Sequence, residues 1–125
     1  MALNVLIADD SATMRAVIAK ALRLSGLQLD KVYEAPDGRG ALEILESHEI
    51  HLVFTDLNMP GLNGEALLAA MRSRPESAGI PVVMVSSDGS AARMARCKAQ
   101  GLAAYVRKPF TPESICQAAH GALRT

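Results

Sequence analysis

Five short apolar runs rich in β-branched residues punctuate this chain: NVLIA from Asn4, KVYEA from Lys31, HLVFT from His51, IPVVMVS from Ile80 and AAYVRK from Ala103. Each is followed by a stretch long enough for a helix. Strands that alternate with helices pair in parallel through right-handed crossovers, and this covers the sheet on both faces. That explains why the runs are nearly continuous in apolar residues rather than alternating. The expectation is an α/β protein, a doubly wound parallel sheet of five strands in one domain spanning residues 1–125.

The element boundaries carry chemical signals. Ser11 or Thr13 can cap the first helix and Gly26 can end it, while Gly101 can end the fourth. Thr111, Pro112 and Glu113 open the last helix with a cap, a proline in the first turn and an acid against the helix dipole. In the first helix Val17, Ile18, Ala21, Leu22 and Leu24 are expected to form one apolar stripe, with Arg15 and Lys20 toward water. SRPESAG, from Ser73, reads as a short surface connection. The fourth helix, within GSAARMARCKAQG, offers mainly Ala and Met inward and is expected to be lightly held.

With 125 residues, half of them apolar, the chain can bury a proper core. Lys plus Arg and Asp plus Glu both number 13, so no charge excess points to nucleic acid or an anionic membrane. Cys97 and Cys116 show no metal-ligand spacing and read as reduced structural thiols. The N-terminus MALNVLIADD has no basic leader and nothing reaches spanning length, so a cytoplasmic location is expected, with no membrane insertion.

In an open parallel sheet, ligands bind beyond the carboxyl ends of the strands. Strand one ends at Asp9 and Asp10, strand three at Asp56, strand four at Ser86 and Ser87, and strand five at Lys108 followed by Pro109. Taken singly, Asp9 or Asp10 could cap a helix, Asp56 could start a turn in DLNMPG, and Lys108 could be a solvated strand end. Arriving together at one sheet edge, they point to chemistry. Two carboxylates about 4 Å apart repel by roughly 4 kcal/mol at an effective dielectric near 20, so three acids in one crevice need a positive partner. Hard oxygen ligands without His or Cys favour Mg²⁺, or Mn²⁺, over zinc. An Asp can act as a nucleophile that forms an aspartyl-phosphate, with Lys108 as a second cationic contact and the Ser86 hydroxyl as a hydrogen-bond donor.

The segments VLIADDSATMR, VFTDLNMPGLNG, VVMVSSDGS and YVRKPF together resemble the receiver domain of two-component response regulators over the whole chain. Within that family the chain is most similar to stand-alone chemotaxis regulators of the CheY type. The resemblance implies a flavodoxin-like (βα)5 fold with strand order 2-1-3-4-5. It implies Asp56 as the phospho-acceptor; Asp10, Asp56 and the main-chain carbonyl of Asn58 as direct Mg²⁺ ligands; and Asp9 as a ligand through water. Lys108 matches the lysine that contacts the phosphoryl group, joined to Pro109 by a bond that is typically cis in the family. Ser86 matches the switch hydroxyl, Tyr105 the aromatic switch, and Asn58 and Asp88 the positions that tune the phosphoryl lifetime.

The implied partners are a histidine kinase as phosphodonor and a protein target on the face of helix four, strand five and helix five, such as the flagellar motor switch. A monomer is expected, acting as a signalling switch rather than an enzyme, although it would catalyse its own phosphorylation and dephosphorylation. The alternative output is a phosphate sink or relay shuttle with no dedicated effector. A phosphohydrolase of the haloacid-dehalogenase kind needs a second acid two residues after the nucleophile, where this chain has Asn58. A flavin- or nucleotide-binding domain needs a glycine-rich cradle after strand one, and DDSATM is acidic instead.

Overall fold

A computed structural model describes residues 2–87 and 90–124. Five strands alternate with five helices: β1 (Leu3–Ala8), α1 (Ala12–Arg23), β2 (Leu29–Ala35), α2 (Gly38–Ser47), β3 (Leu52–Thr55), α3 (Gly64–Arg72), β4 (Val82–Ser86), α4 (Ala91–Ala99), β5 (Ala104–Arg107) and α5 (Pro112–Leu123). The strands form one parallel sheet in the order β2-β1-β3-β4-β5. Every residue of β3 and β4 is buried, as continuous apolar runs covered on both faces require.

Alternation along the strands divides the core in two. Val5, Ile7, Leu52, Phe54, Val83 and Val85 face Ile18 and Leu22 of α1 and Ile115 and Ala119 of α5. Leu6, Ala8, Val53, Val82 and Met84 face Ala41 of α2, Leu67, Leu68 and Met71 of α3, and Cys97 of α4. Both cysteines are free thiols, Cys97 buried and Cys116 half-buried.

The helix starts follow the local chemistry. The Ser11 hydroxyl accepts from the Met14 amide, which settles the cap of α1 on Ser11 rather than Thr13. Thr111 and Ser114 close a reciprocal capping box at α5 with Pro112 in its first turn. Gly26 and Gly101 follow α1 and α4 with φ of 83° and 80°, left-handed values that suit glycine.

Three expectations need correction. Val17 and Leu24 are exposed, at 44% and 71%, because α1 turns its Ile18 and Leu22 edge toward the sheet and α5. Arg15 does not extend into water. Its Nη1 donates to the Asp9 carbonyl oxygen at 2.6 Å, and its Nε meets the Glu34 carboxylate at 2.9 Å. SRPESAG is more than a surface connection, since Ser77 is buried and its hydroxyl donates to the Met71 carbonyl.

Helix α4 has Cys97 as its one buried residue, so the apolar anchor is smaller than an Ala and Met face would give. Arg72, at the end of α3, compensates at its C-terminal end. Its guanidinium donates to the carbonyls of Gln100 (2.9 Å) and Gly101 (3.2 Å) after α4, and to those of Ala78 (3.1 Å) and Ile80 (2.9 Å) before β4. Hydrogen bonds from a charged donor are the stronger kind. Arg72→Met should therefore lower stability in urea unfolding by about 2–3 kcal/mol. In hydrogen exchange, the last turn of α4 should lose protection first; unchanged stability would show that these carbonyls are equally well served by water.

Candidate functional site

The carboxyl ends of β1, β3 and β5 deliver the chemistry, and the sheet fixes their backbones one residue past the strands. The Asp9 amide donates to the Ala35 carbonyl at 3.0 Å, the Asp56 amide to Ala8 at 2.8 Å, and the Lys108 amide to Ser86 at 3.0 Å. Each of these residues is thus tied to the neighbouring strand before its side chain makes any contact.

The loop after β3 is held down by two close approaches. A Cβ on Gly64 would overlap the Asp56 carbonyl oxygen, and one on Gly38 would overlap the Leu62 carbonyl oxygen. Glycine lets the starts of α3 and α2 sit directly against this loop. The Gly64 amide donates to the Leu57 carbonyl at 2.9 Å, and the Thr55 hydroxyl to the Asp56 carbonyl at 2.9 Å.

Asp9 and Asp56 are 1% and 8% exposed, whereas Asp10 is open to solvent. One carboxylate oxygen from each of the three lies within 4.8 Å of the others, a set that could hold a metal ion. The donors are all hard oxygens, which suits a divalent cation of the magnesium kind. Lys108 Nζ reaches Asp9 Oδ2 at 3.2 Å and Asp56 Oδ2 at 3.3 Å, the positive partner that such crowding demands.

Burial pushes the Asp9 pKa up, helped by the nearby Asp56 charge and opposed by the Ser11 amide on its Oδ1 and by Lys108. For Lys108, burial works against the ammonium, but Asp56 and Asp9 together outweigh it and hold its pKa above the usual value. Lys108 is therefore a fixed cation at neutral pH.

Ser86 is buried at the end of β4, on the face that carries Val82 and Met84. Tyr105 pairs with Met84 across β4 and β5 and is half-buried against the same core. Asn58 is exposed at the rim, its amide within 3.4 Å of Asp56 Oδ1. Lys108 and Pro109 are joined by a cis peptide, as expected. Asp88 lies outside the described residues.

Sequence reasoning missed several residues around this site. Arg15 ends the segment VLIADDSATMR and is expected toward water; its place six residues after Asp9, at the start of α1, is the signal for the contact. Gly64 directly follows the cap Asn63, and the close approach it permits has no signature in a single sequence. Glu65 on α3 meets Arg93 Nε at 3.7 Å and Arg96 Nε at 2.6 Å on α4, and Arg93 Nη1 donates to Asn58 Oδ1 at 3.0 Å. Arg96 beside it holds the Glu65 carboxyl below the usual carboxylate range.

The family model described as Response regulator receiver domain matches residues 5–120. The chain is 37% identical over 113 residues to the chemotaxis protein CheY of Pseudomonas aeruginosa, covering 90% of each chain. It is 35% identical over 113 residues to the two-component response regulator ORR3 of Oryza sativa subsp. indica, covering 90% of this chain and 84% of that one. Among solved structures, the chemotaxis response regulator CheY4 of Vibrio cholerae superposes with a TM-score of 0.88 at 28% identity, covering 98% of this chain and 100% of the other.

The Asp9 carboxylate gives a testable pH dependence. With its pKa raised in the folded state, the folded chain holds more protons than the unfolded one between the usual 3.8 and the raised value. Its contribution to stability therefore falls as pH rises through that window. Asp9→Asn should raise the urea midpoint measured in chelator at pH 7, with a gain that shrinks on acidification toward 3.8. A gain that is independent of pH would point to packing instead of charge.

Proposed function

This chain belongs to the response regulator receiver domains of two-component signalling, and from that premise we propose that it is a phosphorylation switch whose acceptor is Asp56. The observation that carries the reading is Lys108 Nζ seated between the Asp9 and Asp56 carboxylates at the carboxyl edge of the sheet, with Asp10 in reach. A buried nucleophile, a fixed cation and a set of oxygen ligands are the parts that phosphoryl transfer to a carboxylate needs.

In the proposed reaction an Asp56 carboxylate oxygen bonds to phosphorus as the bond from phosphorus to a kinase histidine nitrogen breaks, and the electron pair leaves with the imidazole. Lys108, which already faces Asp56, would follow the charge onto a phosphoryl oxygen, and the Ser86 hydroxyl would donate to another. Asp10, Asp56 and the main-chain carbonyl of Asn58 would hold Mg²⁺, or Mn²⁺, directly, and Asp9 would do so through water. The ion, when bound, supplies positive charge that offsets the acids and the transferring oxygens.

Phosphorylation adds nearly two negative charges beside β4 and β5. Movement of Ser86 toward them would vacate space on the face it shares with Tyr105, and the half-buried Tyr105 ring could then turn further in. The output would be a population shift on the surface made by α4, β5 and α5. The chain would act in this reading as a monomeric switch, not an enzyme with an external substrate, in the cytoplasm. No described helix is long and apolar enough to cross a membrane. Kinship with chemotaxis proteins favours the flagellar motor as the target. A phosphate sink or relay shuttle without a dedicated effector is the second reading, since a relative of comparable identity is named a two-component response regulator with no mention of chemotaxis.

Incubation with acetyl phosphate and Mg²⁺ should add one phosphoryl group by intact mass, lost with chelator and in Asp56→Asn. Uptake that persists in Asp56→Asn would remove the acceptor assignment. Lys108→Ala should still accept phosphate but should no longer bind a motor-switch protein more tightly when phosphorylated. Binding that responds as in wild type would take the signalling role away from Lys108.

A further inference from the structure

The Arg93 side chain joins two parts of the molecule that the phosphorylation reading leaves separate. Its guanidinium, on the first turn of α4, lies 3.7 Å from the Glu65 carboxylate of α3 and donates to Asn58 Oδ1 at 3.0 Å. Asn58 is two residues from Asp56 and exposed, so it stands at the solvent rim of the site. We propose that Arg93 is a positioning residue that holds the Asn58 amide with its oxygen occupied, and so ties the lifetime of the Asp56 phosphoryl group to the position of α4. This inference rests on phosphorylation of Asp56.

The chemistry follows from what an amide offers. Asn58 has one oxygen that accepts and one NH₂ group that donates. In hydrolysis, the oxygen of a water bonds to phosphorus while the bond between phosphorus and the Asp56 oxygen breaks; the electron pair returns to the carboxylate, and the water's proton leaves with inorganic phosphate. Aligning that water requires an acceptor for its hydrogen. Engaged by Arg93, Asn58 Oδ1 keeps one lone pair but is fixed in orientation and drawn toward a cation, which makes it a weaker acceptor for the hydrogen of an attacking water. Released, Oδ1 can accept from water at the rim.

The second half of the device is its mounting. Arg93 projects from a helix with one buried residue, Cys97, and shares Glu65 with Arg96 one turn on. Guanidinium presents donors in a planar fork, so one side chain can span carboxylate and amide together. Displacement of the first turn of α4 carries Arg93 away from Asn58. Whatever holds α4 in place should then lengthen the phosphoryl lifetime.

The test is the decay of the phosphorylated protein after removal of acetyl phosphate, followed by timed intact mass in Mg²⁺. Arg93→Met should decay faster than wild type by about threefold to tenfold, the worth of one oriented hydrogen bond. Arg93→Lys keeps the charge but cannot span both partners, and it should decay nearly as fast as Arg93→Met. In an Asn58→Ala background, Arg93→Met should change nothing. Equal decay of wild type and Arg93→Met overturns the inference, as does wild-type decay of Arg93→Lys or an undiminished Arg93→Met effect in Asn58→Ala. A wild-type chain that takes up no phosphoryl group overturns the phosphorylation reading itself, a result distinct from all of these.

Discussion

Mutual repulsion of carboxylates at the carboxyl edge of the sheet is the constraint around which the molecule is arranged. Asp9 and Asp56 lose most of their water, and burial pushes Asp9 toward the neutral acid. Lys108 opposes this by bridging the two at 3.2 and 3.3 Å. It can do so because β5 lies two strands from β3 and one from β4, with its backbone tied to Ser86. Reverse the order of β4 and β5, and the lysine that follows β5 would stand elsewhere along the edge. The strand order is thus part of the electrostatics: it decides which charges meet.

Much of this was legible in the sequence because it rests on local chemistry. Strand runs, the Thr111 cap and the acids at strand ends are each written in a few adjacent residues, and the fold follows once parallel pairing through crossovers is required. What escaped was set by the rotation and approach of helices. Val17 and Leu24 look apolar enough to be inside, yet α1 contacts the sheet through Ile18 and Leu22, and the angle between α1 and α5 decides which edge is covered. Arg72, Glu65 and Arg93 find their partners up to 35 positions away in elements that are not paired in the sheet. No periodicity reports such contacts. Composition correctly suggested a lightly held α4, though by way of the wrong residues.

The two ends of α4 are held by different partners. At the C-terminal end Arg72 is half-buried and donates to carbonyls on both α4's exit and the approach to β4. At the N-terminal end Arg93 and Arg96 pair with Glu65, Arg93 and Glu65 being partly buried and Arg96 exposed.

The light packing of α4 bears on how the proposed phosphorylation of Asp56 would be read at a distance. A phosphoryl group can shift an equilibrium only by the difference in its interactions with the two states. Were α4 anchored along its length by buried apolar side chains, the added charge would have to overcome the loss of that packing. With Cys97 as its one buried residue, α4 would present less packing for the proposed switch to overcome. Gly64 and Gly38 let α3 and α2 sit directly against the loop after β3, so that under the proposed phosphorylation of Asp56 this loop would hold its shape and α4 would be the element to move.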